Sequence, residues 1–455
     1  MVTSALFFYL GTLAITQTVY GRAFMPVRWL ALAFLPVIAA ACWLSTKLLP
    51  SSRGSGNSTK IVLVYLAMTF LSVIMAENFS FSCMKWASHA AMIVVFLLFL
   101  WQSLAIKRVN ETLNILKVLL ALLMFVSFLK PESPTMVRDI ELFRGAFGNA
   151  NAMGQVAAIG GLLFLHSFLT AKASWVRRAE LIMACVAGWL VWSSGARSAM
   201  VGAITGLILM NYLYPSKLRR KVFWVALLVG GLALVMPDMP RAAQQFVLRG
   251  GLGKRTLTEQ IFRTRTSVWS AAWEGFKKRP VFGWGFGADD RIPKQWEPKL
   301  SAIGTVSRDS VNDTLIVLES TGVVGLMAYI LLVILSIKQI PTRQERFLLQ
   351  KIHAPPSVSK GVGFSAYHNH AIAFIIALTL LVTFQFDNTA LSAGNFVSVI
   401  LWLCVALAGA IRNKAVAHEA AVARYQELAK RLYSRPRKDS SISASVARRE
   451  GPHSA

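Results

Sequence analysis

The run LIVLESTGVVGLMAYILLVILSI, residues 315–337, decides the fold class. It is 23 residues long and holds one charged side chain, Glu319. A hydrocarbon layer about 30 Å thick takes roughly 20 apolar residues at 1.5 Å of rise each, so this run predicts a transmembrane helix. Eleven more runs read the same way: 2–20, 29–46, 61–76, 86–106, 113–129, 152–171, 180–193, 199–214, 222–236, 371–386 and 396–411. Twelve spans predict an all-α fold, a polytopic transmembrane helical bundle. Composition agrees, because 15% of the 455 residues are charged where a soluble chain carries about 25%.

Twelve spans put both termini on one side, and the basic residues choose which. With the N-terminus inside, the inner loops hold 17 Lys and Arg and the short outer loops hold 7. That asymmetry predicts cytoplasmic termini. Residues 1–411 then form one transmembrane domain. Residues 412–435 follow as a cytoplasmic amphipathic helix, with Val422, Tyr425, Ala429 and Leu432 on one stripe. A solvated charged helix is the alternative for this segment. The Ser-rich basic stretch 436–455 is expected to be a disordered tail.

The net charge of +27 is scattered over membrane loops, which suits anionic lipid and excludes nucleic acid as a partner. The four cysteines show no metal or disulfide spacing. The first run lacks a basic n-region and is expected to be a retained span.

The segment 237–314, just before the opening run, breaks the positive-inside pattern. It faces outward on this topology, yet carries thirteen Lys or Arg, eight Asp or Glu, and four Trp. A loop of that length is usually functional. Its charge and its tryptophans point to an anionic ligand held at the interface, such as a lipid-linked phosphate. Within it, Trp269, Trp273 and Phe276 recur at helical spacing, so 266–278 predicts a short amphipathic helix. Arg263 and Arg265 stand at its N-terminal end, where free amides also favour an anion. Pro280 ends the helix, and Gly283, Gly285 and Gly287 read as a tight turn rather than a dinucleotide fingerprint.

Three more clusters face outward. RGAFGNANAMG, residues 144–154, places Arg144, Asn149 and Asn151 before a span; the asparagines can bond sugar hydroxyls or cap the helix. SSGARSAM, residues 193–200, leaves Arg197 at the tip of an apolar hairpin. There it either snorkels or grips a phosphate with its planar fork. SRDSVNDT, residues 307–314, sets Asp309, Asn312 and Asp313 before the opening run. Either acid can serve as a base on a sugar hydroxyl or compensate the helix dipole. Lys117 inside a span either snorkels or pairs. His368 and His370 lie two residues apart, off a common helix face, and predict no metal site.

These clusters, in this order, resemble the O-antigen ligase and Wzy-type polysaccharide polymerase superfamily over roughly residues 60–410. The shared marks are FGNANAMG, the small-residue motif around Arg197, the spacing from Arg265 to Trp269, the turn Pro-Val-Phe-Gly-Trp-Gly (280–285), and the Asn ahead of Glu-Ser-Thr-Gly-Val-Val-Gly (319–325). The resemblance implies a metal-independent glycosyltransferase of the bacterial inner membrane that needs no cofactor. Its donor would be an undecaprenyl-pyrophosphate-linked glycan, and 237–314 its long periplasmic loop. Arg197 and Arg265 would hold the pyrophosphate catalytically, with Arg263 and Arg144 as further binding residues. Asp313 is the expected base; Asn149, Asn151 and Asn312 are expected to bind substrate. Ligases show a His-Asn pair where this chain has Val311 and Asn312, which favours a polymerase of exopolysaccharide or O-antigen repeats. Membrane lipids, a chain-length regulator and a flippase are the implied partners. An O-antigen ligase acting on lipid A-core and a lipid-linked glycan flippase are the alternatives.

Overall fold

The computed structural model describes residues 2–18, 31–47, 56–101, 106–129, 135–137, 140–147, 149–171, 173–214, 269–270, 272–287, 312–338, 363–385 and 395–410. The expected span 222–236, residues Arg263, Arg265 and Asp309, most of the long loop and everything after 410 lie outside these. The described residues are helical almost throughout. The helices are α1 (Val2–Gln17), α2 (Phe34–Lys47), α3 (Gly56–Ile74), α4 (Phe79–Ile93, running on as a π-helical turn Val94–Leu100) and α5 (Ile106–Leu129). They continue with α6 (Ala150–Thr170), α7 (Ser174–Ser193), α8 (Arg197–Leu213), a short α9 (272–278), α10 (Asp313–Ile337), α11 (Gly363–Phe384) and α12 (Phe396–Ala410). One antiparallel hairpin, β1 (Thr135–Val137) with β2 (Ile140–Leu142), is the departure from an all-helical fold among the described residues.

Among the described residues, four helices are long and apolar enough to cross a membrane: Phe79–Leu100, Arg108–Leu129, Ala150–Thr170 and Asp313–Ile337. Six further apolar helices are shorter, at 10–17 residues. Only internally satisfied backbone can cross hydrocarbon, which is why apolar runs of this length fold as helices. The protein is therefore a membrane protein. Helices that are apolar on all sides belong in the middle, and α12 is buried along its whole length with Trp402 at its centre. Trp101, just past the π-helical turn of α4, packs against Gly409 of α12, where any Cβ would overlap the indole. By contrast α7, with Arg177, Arg178 and Glu180 in its first turns, keeps Trp175, Ile182 and Trp189 exposed.

Direct contacts sort the helix ends into two groups. At one end, here the rim, Thr18 after α1 bridges Phe147, and Ala146 N donates to Ser127 Oγ of α5 (3.0 Å). Phe143 N donates to Ser193 O at the end of α7 (3.0 Å), and Thr314 Oγ1 of α10 donates to Gln385 Oε1 after α11 (2.8 Å). Ser82 Oγ in α4 donates to Phe286 O (2.9 Å). At the opposite end Thr3 Oγ1 of α1 reaches Glu111 Oε2 of α5 (3.3 Å), and Lys117 pairs with Glu180 and Ser167. There too His166 joins Tyr214 and Asn369, and Asn369 donates on to Asn110. Of the two sequence readings for Lys117, the structure shows the pair.

Candidate functional site on the rim

The first two clusters form one unit. Asn149 adopts an extended backbone, and its side chain accepts from Asn151 N (2.9 Å), starting α6. The hairpin between α7 and α8 turns through Gly195 at φ 62°, closed by Gly195 N donating to Trp192 O (3.0 Å). The two meet at Gly154, where a Cβ would lie 2.5 Å from Ala196 Cβ and 3.1 Å from Ala199 Cβ. Small residues allow this approach. Its consequence is electrostatic. The N-termini of α6 and α8 converge, neither carries an acid in its first turn, and Arg197 is the first residue of α8. Each helix start carries roughly half a positive charge. Two such ends and a half-buried guanidinium therefore share one corner. Arg144 joins it through the backbone, since its neighbour Phe143 is bonded to Ser193.

The second unit is built on a broken helix. Inside α10, Gly322 takes φ 67° and ψ −168°, a conformation open essentially to glycine alone. The break leaves carbonyls above it and amides below it without helical partners. The turn after α9 supplies them. Trp284 N donates to Glu319 O (3.1 Å) and Gly285 N to Ser320 O (2.8 Å). Val323 N donates to Pro280 O (2.9 Å) and Val324 N to Val281 O (3.3 Å). The turn thus enters the bundle instead of lying over it. Phe286 is fully buried, 5.3 Å from the His89 ring. Gly283, Gly285 and Gly287 all have positive φ.

The helix α9 rests on the upper half of α10. Ala272 and Ile316 bury each other with Trp269 and Leu315 alongside. Trp284 Nε1 donates to Gly275 O (3.0 Å). The Glu319 carboxylate lies against the Cα of Gly275, where any side chain would collide with it. The face of α9 turned to α10 therefore carries the buried Ala272 and Gly275, with the half-buried Trp269 just before the helix, while Trp273 of the expected aromatic face stands 45% exposed. Arg279 stacks on the Trp284 ring at 4.4 Å and bonds Glu77 Oε1 at 2.7 Å.

The third cluster opens α10. Asn312 caps the helix, accepting from Thr314 N (2.7 Å) and Leu315 N (3.3 Å). Asp313 is buried in the first turn, where the helix dipole favours a carboxylate. Residues Gly202 and Gly206 of α8 pack on Thr383 and Thr379 of α11, so those helices run antiparallel. That brings the Arg197 end of α8 to the level of Gln385, which bonds Thr314. Arg144, Asn149, Asn151, Arg197, Asn312 and Asp313 therefore share the rim. The asparagines Asn149 and Asn312 already serve as caps. Arg263 and Arg265 precede Trp269 and lie outside the described residues.

The backbone zipper between residues 280–285 and the break in α10 could not be read from sequence. Its one signal is a glycine in an apolar run, and Gly325 three residues on gives the same signal without a break. Aromatic side chains ring the same end. Phe128 stacks on Trp189 at 5.5 Å, and Phe143 lies 5.8 Å from Trp189, as expected where helices meet headgroups.

A helical membrane protein with a cationic, aromatic-fringed rim and a re-entrant turn is a class suited to holding an anionic lipid headgroup. Within that class, residues 181–330 match the family model described as O-antigen ligase, which places this segment in the O-antigen ligase-like superfamily. The matched segment runs from α7 through Arg197, Arg263, Arg265 and the zipper to the lower half of α10. It points to a glycosyltransferase-like enzyme working on lipid-linked glycans. No curated protein matches the chain.

Proposed function

We propose that the protein is a glycosyltransferase of the bacterial inner membrane that polymerises oligosaccharide repeats carried on undecaprenyl pyrophosphate. The observation that carries this reading is the corner where two acid-free helix N-termini meet around Arg197. A diphosphate is the ligand that corner suits, since amides, dipoles and a guanidinium fork all favour it. The rim would face the periplasm with both termini in the cytoplasm; α1 begins and α12 ends at the opposite end, which supports that arrangement.

In this mechanism an acceptor hydroxyl oxygen attacks the anomeric carbon of the donor. The bond from that carbon to the diphosphate oxygen breaks, and its electron pair leaves on the polyprenyl diphosphate. Arg197 and Arg265 stabilise the growing charge, more in the transition state than in the ground state. Asp313 accepts the hydroxyl proton. Arg263 and Arg144 extend the cationic surface, and Asn149, Asn151 and Asn312 line the sugar path. A chain-length regulator and a flippase would serve the same pathway.

Val311 stands where ligases have histidine, which favours polymerisation over transfer to lipid A-core. Transport is the reading of another class. A broken helix and the half-buried Lys117–Glu180 pair are features that transporters share. Here the break is closed by the chain's own turn, so its polar groups do not remain for a solute. Reconstitution with a synthetic undecaprenyl-pyrophosphate repeat tests the proposal. A ladder of lengthened products is expected. A single transfer onto added lipid A-core would make it a ligase, and absence of any glycosidic product would end the enzyme reading.

A further inference from the structure

We propose that Trp284 is a positioning residue for the transfer reaction: it sets the register of α9 on the half of α10 that Asp313 heads. The inference rests on the glycosyltransferase reading above. Trp284 is held from three directions. Its backbone amide belongs to the zipper that closes the break at Gly322. Its indole N–H takes the carbonyl of Gly275 in α9 (3.0 Å). Its ring face carries the Arg279 guanidinium, which is tied to Glu77 beyond the end of α3. One side chain therefore refers α9 to α10 and to the loop between α3 and α4.

The fit beneath α9 is close. Gly275 has no side chain, and the space is taken by the carboxylate of Glu319, which is 4% exposed. A shift of α9 along α10 would drive its backbone into that carboxylate. Asn312 and Asp313 head the half of α10 on which α9 lies. The interlock thus holds α9 in one register against the half of α10 that carries the proposed base. Reaction rates are steep in such geometry, with a misplacement of about 1 Å costing about 100-fold. Arg279 is by the same contacts a clamp on Trp284, not a free phosphate ligand.

The test uses full-length protein in phosphatidylethanolamine–phosphatidylglycerol nanodiscs with the synthetic donor. Trp284→Phe keeps a ring for Arg279 and removes the donor to Gly275. Expected is a kcat lowered about 100-fold, with KM and melting midpoint unchanged and faster amide exchange in 272–278. Exchange at Val323 and Val324 should stay slow, because their partners are backbone. Gly275→Ala keeps Trp284 and forces α9 off Glu319; it should lose kcat similarly, and adding Glu319→Asp, which withdraws the carboxylate by one methylene, should restore part of it. An undiminished kcat in Trp284→Phe, or a loss that tracks the melting midpoint in both single variants, overturns the proposal. So does a double variant no better than Gly275→Ala. No transfer by the wild-type protein sinks the functional reading first and this proposal with it, whereas wild-type turnover beside an intact Trp284→Phe sinks this proposal alone.

Discussion

Arg197 illustrates why a residue's place matters more than its type. As the first residue of α8 it puts a positive charge at the positive end of a helix, with no acid in that turn to offset it. Such an arrangement is disfavoured by about 0.3–1 kcal/mol in the absence of an anion and becomes favourable with one. Arg197→Ala should therefore cost catalysis rather than folding. A fixed donor at a developing oxyanion is worth about 3–4 kcal/mol, so turnover should fall by about 10²–10³ while protein level stays normal. Arg197→Lys should recover little, because an ammonium lacks the fork. Full-length polymer from cells carrying either variant would remove Arg197 from the mechanism. Asp313 is open to a sharper test. Buried in the first turn of α10, it can compensate the dipole or take a proton. Asp313→Asn removes both functions. Slowed transfer is expected for a base, with a small drop in melting midpoint from the lost dipole contribution of about 0.3–1 kcal/mol, and undiminished turnover would leave it only the dipole role. Asn312→Ala, which strips the acceptor from two amides, should cost stability of about 1 kcal/mol besides weakening the sugar path.

Among the elements, α10 marks the limit of what a sequence discloses. Its apolar run is plainly a helix, and its start is legible from Asn312 followed by Asp313. The break at Gly322 is not, because glycine is common in spans and the partners that satisfy the break lie about forty residues away in the chain (Pro280–Gly285). The turn was legible from Pro280 and three spaced glycines, but its destination inside the bundle was not. Likewise, Asn149 and Asn312 carry an obvious capping signal, while the convergence of α6 and α8 depends on Gly154 meeting Ala196, a contact no local pattern encodes. Gly322 and Gly188 separate a glycine that is required from one that is not. Alanine at 322 would need a backbone conformation costing about 1–3 kcal/mol, and its Cβ would overlap the backbone of Val281. At 188, inside α7, an added methyl meets nothing within 4 Å. Gly322→Ala should fail to accumulate or melt much earlier in detergent, whereas Gly188→Ala should fold. Equal melting midpoints would mean the break is not needed.

At the scale of the molecule the two ends differ in chemistry. The end opposite the rim is closed by a directional chain. Asn369 Nδ2 donates to Asn110 Oδ1, so Asn369 Oδ1 is left to accept from His166 Nε2, and His166 Nδ1 accepts from the Tyr214 hydroxyl. That chain ties α5, α6, α8 and α11, and with Lys117–Glu180 it makes this end a polar clasp within an apolar bundle. The rim holds caps, converging helix starts and a re-entrant turn instead. Catalysis on an exported lipid-linked glycan requires the rim to face outward. Sidedness is therefore the broadest prediction. In a variant cleared of Cys42, Cys83, Cys185 and Cys404, a cysteine in place of exposed Asn149 should react with a membrane-impermeant maleimide in cells whose outer membrane has been made permeable. A cysteine in place of Lys338, exposed at the clasp end of α10, should react only after lysis. On the twelve-span reading the basic residues make the same demand, since the inner loops hold 17 of them and the short outer loops 7. The reverse labelling pattern would put Arg197 and its helix starts in the cytoplasm, where an outward-facing donor could not reach them, and the polymerase reading would fail however well the corner fits a diphosphate.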